Sequence, residues 1–363
     1  LRTMKRNFYY LALLTLLAVL TVVFLVRPGG SPTPSADGDL LLPEIAGQIN
    51  AVDHVEIVAA GNRTVATMDR AGDYWQVEQV HGYRADWPAL RTLLAALAQA
   101  RVVEAKTDKP EYYARLGVED ISVADAGGVL VRLGIGGQTT DILVGKQAQG
   151  RTGQYARRAG NAGSVLLDRE IDVPTGEMDW VESEIIDIDV SEVAEVEIIH
   201  PGGERVLITK VSADQTDFDL VDIPEGREIK GSWALNSLGS ALSMLDMEGV
   251  RPEGDIDWGE AVRMRLLTFA GVEFMVEMLE QGEQYLLRLS ASHPAAAVIT
   301  NEAEQEEQDP AQQEIEQQAM DDAAQAVEAI NKWTVGWVYT IAKYKYEAMT
   351  KKPEDLLKPL EST

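Results

Sequence analysis

The chain repeats itself. Comparison of the sequence with itself aligns two series of elements at an offset of about 141–145 residues, so whatever the first series folds into, the second must fold into again. The first opens with Val52-Asp53-His54-Val55-Glu56-Ile57-Val58, alternating as in a half-buried strand. Arg63 to Met68 and Tyr74 to Val77 follow as strands. Asp86 then stands before Trp87-Pro88, a capping acid and a first-turn proline that mark a helix start. Leu90, Leu93, Leu94 and Leu97 fall on one face of that helix. The second series gives Val193 to Ile199, Arg205 to Lys210 and Phe218 to Val221 as strands. Ser232 is expected to cap the helix SWALNSLGSALSMLDM, with Leu235, Leu238, Leu242 and Leu245 on one face.

More strands follow each helix. In the first copy Val129 to Ile135 and Thr139 to Val144 join across Gly136-Gly137, a tight hairpin turn, and Tyr155 to Arg158 and Ser164 to Leu167 continue the meander. In the second, Val262 to Phe269 and Val272 to Leu279 pair across Ala270-Gly271, and Tyr285 to Leu289 follows. Short turns imply antiparallel pairing. The expected fold class is therefore α+β: an N-terminal transmembrane helix, then two duplicated units of antiparallel sheet with one packed helix each. The expected boundaries are a cytoplasmic end and anchor at 1–27, a flexible linker at 28–45, repeats at 46–185 and 186–292, an acidic Gln-rich insertion and helix at 293–330, and a closing strand with a basic segment at 331–363. The strand in that last segment, within WTVGWVYTI, is expected to dock on the second sheet. The basic tail is read as a short amphipathic helix packed on the domain, in preference to a contact with an acidic partner face or a lipid headgroup.

Residues 8–26, FYYLALLTLLAVLTVVFLV, carry no charge. As a helix they extend about 28 Å, close to the hydrocarbon thickness of a bilayer. Lys5 and Arg6 precede them, so the positive-inside rule puts the N-terminus in the cytoplasm and the bulk of the chain outside. The run is longer than a signal-peptide core and no A-x-A site follows promptly, which favours an uncleaved anchor. The expected location is the bacterial inner membrane, single-pass, with the N-terminus cytoplasmic and the bulk of the chain periplasmic.

With 59 acidic and 32 basic residues, the net charge of −27 argues against nucleic acid as a partner. The absence of cysteine removes thiol chemistry and cysteine-ligated metal. The histidines, His54, His81, His200 and His293, form no H-x-x-x-H pair. Gly134-Ile135-Gly136-Gly137 precedes a strand and so is no dinucleotide loop. Asp187/Asp189 and Asp255/Asp257, if on strands, would share a face and suit calcium or a carboxylate pair of the glycosidase kind; solvated strand ends are the preferred reading. Ser164 and Ser232 lack a His/Asp arrangement. Trp75, Trp87, Trp233 and Trp258 could line a sugar site, but Trp75 aligns with Phe218, which points to core packing. No catalytic, cofactor-binding or metal-binding residue is assigned, and no cofactor.

The Tyr74-Trp75-x-Val77 strand before a capped Leu-rich helix, the duplication and the closing WVYTIAKYKYEAMTKKPEDLL together resemble a bacterial family, domain of unknown function 4340. The resemblance implies an envelope protein working beside an ABC-type transport system with a permease and a separate ATPase. The chain itself has no G-x-x-x-x-G-K-[ST] loop. The expected function is a non-enzymatic, membrane-anchored periplasmic accessory or scaffold subunit. The alternative is an envelope polymer or lipid binding module using the cleft between the repeats.

A reporter fused after Pro34 is expected to be active only if it functions outside the cytoplasm. Activity of a cytoplasm-only reporter at that site refutes the anchored topology.

Overall fold

The structure is a computed structural model that describes residues 38–293 and 310–359. The expected anchor at 8–26 and the first half of the Gln-rich run at 301–318 lie outside the described residues. Among the described residues no helix is long and apolar enough to cross a membrane. The described chain is α+β, built on antiparallel sheets with few helices.

The first copy comprises β1 (His54–Ala59), β2 (Arg63–Ala71), β3 (Tyr74–Val77), β4 (Tyr83–Arg84), α1 (Trp87–Gln99), β5 (Val102–Ala105), β6 (Val129–Ile135), β7 (Gln138–Gln147), β8 (Gln154–Arg158) and β9 (Ser164–Leu167). They form a nine-stranded sheet in the order β4-β3-β2-β1-β6-β7-β8-β9-β5. The second copy comprises β10 (Glu184–Ile186), β11 (Val193–Ile199), β12 (Arg205–Thr209), β13 (Asp219–Leu220), α2 (Ser232–Gly239), β14 (Leu245–Asp246), β15 (Gly249–Pro252), β16 (Val262–Thr268), β17 (Glu273–Gln281), β18 (Gln284–Ser292), α3 (Pro310–Thr334), β19 (Trp337–Thr340) and α4 (Lys343–Met349). Its sheet runs β13-β12-β11-β16-β17-β18-β19-β15. With β4 set aside, the two orders match strand for strand.

That match relocates several boundaries. Residues 38–45, expected as linker, are docked: Leu40 bridges Arg101, and Leu42 and Ile45 are buried. The second sheet does not close at residue 292, because β19 completes it between β18 and β15. The basic tail also has a counterpart. In the first copy the Asp86 amide donates to the Trp180 carbonyl and the Glu182 amide to that of Arg84. In the second, Lys230 donates to Leu356 and Lys358 to Glu228 in the same crossed pattern. The tail is therefore the closing strap of the second copy, and its lysines are engaged within the chain: Lys352 with Glu204, Lys358 with Glu228, Lys351 on the Ser237 hydroxyl. The copies run over residues 38–182 and 183–359.

The helix starts show how local chemistry decides. Asp86 accepts from the Ala89 amide at 2.9 Å, and Leu90, Leu93, Leu94 and Leu97 are buried. Ser232 is no cap: one extra residue, Gly231, separates the bridge at Lys230 from the helix, and it takes the capping position without a side-chain bond. The helix also ends at Gly239 rather than continuing to Met247. A Cβ there would meet the Phe218 ring at 2.1 Å, so Gly239 is where ring and helix close on each other. Leu242 and Leu245 reach the core from the segment beyond.

One apolar core runs through both copies, from Val55, Ile57 and Val131 to Val196, Ile198 and Val276. The copies meet where β4 faces β19. The Tyr83 and Tyr339 hydroxyls lie 3.4 Å apart in the core, and Trp337 packs edge-on to Tyr83 at 4.9 Å. Burial pushes the Tyr339 phenol up, so it stays protonated and donates to the Trp333 carbonyl at 2.9 Å.

Asp86→Ala is expected to destabilise the protein by about 1 kcal/mol, whereas Ser232→Ala stays within about 0.5 kcal/mol. Urea midpoints of the two variants test this difference, and equal losses refute the assignment of Gly231 as cap.

Candidate functional site

The structure separates the histidines. His54 lies at the start of β1 and bonds Asp69 at 2.7 Å, while His200 lies past the end of β11, buried, its Nε2 3.3 Å from the Lys351 carbonyl. The two therefore sit at opposite ends of equivalent strands. His81 takes a left-handed conformation that ends a turn, and His293 contacts the Gly271 carbonyl from its Nδ1 at 2.8 Å. Among the described residues no three metal-ligating side chains gather at one point.

The acid pairs are on loops, not on strands. Asp189 accepts from the Ser191 amide and hydroxyl, Asp187 from the Met244 amide, and Asp257 from the Gly259 amide. Each of these three carboxylates holds a turn. Ser164 exchanges hydrogen bonds with the Thr107 backbone and is buried. Gly134 packs its backbone against His54, and Gly136 and Gly137 take the positive φ values of the β6–β7 turn.

Where carboxylates do gather, they gather around arginine. Arg132 bonds Glu56 at 2.5 Å and Asp141 at 2.8 Å. At the equivalent register of the second sheet, Arg265 bonds Glu197, Glu195 and Glu273. In both sheets the Glu of the first strand stands opposite the Arg of the central strand, so the ion pair is itself duplicated. Glu197 is further held by Arg205, which with Arg265 keeps its carboxyl below the usual range. These acids are committed to structure.

The feature with the shape of a binding site lies at the join of the copies. A cleft of about 620 Å³ opens between α1, the turn joining β2 to β3, the segment 46–52 and the C-terminal end of α3. Its walls are Trp75, Trp87, Tyr74 and Trp333, and Ile49, Val52, Leu94, Ala95 and Ala98 also line it. Tyr74 and Trp333 come from different copies and meet edge-on at 4.8 Å. Arg70, Arg84 and Arg91 reach the same space. Arg70 donates to the Asn50 carbonyl at 3.0 Å, and Arg84 to the Glu184 carbonyl at 2.6 Å and lies 5.7 Å over the Trp333 ring. The Arg84 Nε is buried without a partner. None of the three pairs with a carboxylate among the described residues, unlike Arg132, Arg157, Arg265 and Arg288. Of the acids lining the cleft, Asp73 lies 3.8 Å from Lys332, and Glu182 accepts from the Glu184 amide.

Of the tryptophans singled out in the sequence, Trp75 and Trp87 thus line one cleft. Trp258 is buried beneath Arg288, and Trp233 is 66% exposed outside the cleft. The arginines carry no sequence signature, because four separate segments deliver the lining.

The family model described as domain of unknown function (DUF4340) matches residues 75–259, from β3 to the loop before β16. The match covers just over half of the 363 residues. The chain belongs to this family. No curated protein and no solved structure matches it significantly.

Glu197→Gln is expected to destabilise the protein at pH 7. The folded pKa is depressed, so the stabilisation is present above the unfolded value of about 4.3 and is lost as pH falls through the folded one. The gap between variant and parent urea midpoints should therefore close below about pH 4. A gap that persists at low pH assigns the effect to packing instead.

Proposed function

We propose that this chain is a non-enzymatic accessory subunit of the bacterial envelope, anchored in the inner membrane by residues 8–26 with its two copies on the periplasmic side. In this reading it serves an ABC-type transport system whose permease and ATPase are separate proteins. The chemistry of the described residues supports a binding role: carboxylates sit in turns or around arginines, and the built concavity is the cleft at the join. That cleft is the observation that carries the proposal. A concavity of this volume, mostly apolar with a few convergent polar groups, is the usual form of a ligand site. It also favours a second reading, in which the cleft holds an envelope polymer or lipid.

The test is capture of the full-length tagged chain at native expression in mild detergent, with mass spectrometry of the co-purifying proteins. Near-stoichiometric permease and ATPase are expected. Recovery of the chain alone removes the transporter role and leaves the binding reading to be tested by itself.

A further inference from the structure

The cleft is lined by three arginines against two acids, Asp73 and Glu182, a positive balance in a chain of net charge −27. Three guanidinium groups without carboxylate partners line an aromatic and apolar concavity, and Lys332 stands at the Trp333 edge, 4.6 Å over that ring. A negative body repels small anions, so a positive concavity within it selects a ligand that rewards entry in two ways. A headgroup alone would leave the wall of Trp75, Trp87, Leu94 and Ala98 unused. An apolar ligand alone would leave Arg91, and the N–H groups of Arg70 and Arg84 not already spent on the Asn50 and Glu184 carbonyls, without acceptors. Guanidinium groups bind phosphate through paired N–H donors, and Arg91, at an exposed helix position in the cleft lining, presents such donors with no carboxylate partner among the described residues.

The position in the chain adds a source. The segment 46–52 that lines the cleft begins shortly after the apolar run. Residues 27–37, even fully extended, reach no more than about 40 Å. If residues 8–26 span the bilayer, which is the reading of the preceding subsection, the described body stays within that reach of the lipid surface.

We propose that the cleft takes a single anionic phospholipid, its phosphate held by Arg70, Arg84 and Arg91 and an acyl chain laid against Trp75, Trp87 and Leu94. Net negative charge on the headgroup is required, because a zwitterionic lipid presents its own cation to the arginines.

The test uses the full chain in phosphatidylcholine nanodiscs. A fraction of the lipid is replaced by phosphatidylglycerol with brominated acyl chains, which quench tryptophan on contact. The apolar run contains no tryptophan, so quenching reports on the body of the chain. Brominated phosphatidylglycerol is expected to quench saturably, and brominated phosphatidylcholine at least tenfold less effectively. Arg91→Glu, at an exposed helix position, should weaken the response tenfold or more. Trp87→Phe should reduce its amplitude, and Trp233→Phe, outside the cleft, should not. Equal quenching by the two lipids, no quenching by either, or an unchanged response in Arg91→Glu overturns the proposal. An acidic oligosaccharide or acidic peptide that abolishes the quenching when added in solution, at concentrations where inorganic phosphate does not, assigns the cleft to that class instead. Loss of the lipid response with permease and ATPase still captured defeats this proposal alone. Failure of the chain to enter the nanodiscs defeats the anchored reading as well.

Discussion

Each antiparallel sheet has one face it must remove from water, and here both faces are removed into the same core. Much of the remaining architecture depends on that constraint. The outer faces carry the Glu–Arg pairs, at the same register in each copy, beside small apolar patches covered by loop residues such as Ile121 and Trp258. The helices α1 and α2 contribute their leucines to the shared core. Because the copies share a core, they are not two beads on a string. The phenols of Tyr83 and Tyr339 meet at the join, buried and uncharged.

The cleft is a by-product of that join. Two copies with identical sheet orders would pack symmetrically if nothing else were added, and two additions break the symmetry. The first copy has β4, and the second has α3 between β18 and β19, where the first copy has only the short connection between β8 and β9. Trp333, near the C-terminal end of α3, closes the cleft against Tyr74 at the end of the β2–β3 turn. The segment that sets this chain's second copy apart from its first therefore supplies a wall of the site.

Most of the fold was legible in the sequence, since it is written in local periodicity. The β6–β7 hairpin, the Asp86 cap and the buried stripe of α1 follow from spacing within a dozen residues. Less legible were features decided by distant contacts. Whether Ser232 caps depends on a bridge to Leu357 from the far end of the chain, beyond which the helix starts one residue later than in the first copy. Whether 38–45 is linker depends on the edge it finds beside Arg101. The site was nearly illegible for the same reason. Arg70, Arg84, Arg91 and Trp333 belong to β2, β4, α1 and α3, and no spacing rule joins them. Trp75 and Trp87 were visible as aromatics, but their sequence gave no reason to face one space.

The placement of α3 has a consequence for the order in which the molecule assembles. In the first sheet β9 reaches β8 across residues 159–163; in the second, β19 reaches β18 only after residues 293–336. Closing a loop about nine times longer adds roughly 2 kcal/mol of chain entropy before any contact offsets it. In the second sheet β15 has β19 as its ladder partner, so that edge stays open until β19 arrives. The first copy can therefore finish its sheet while the second still waits for its penultimate strand, and synthesis from the N-terminus reinforces that order. The join, and with it the cleft, is then among the last features to form, on a template the first copy has already completed.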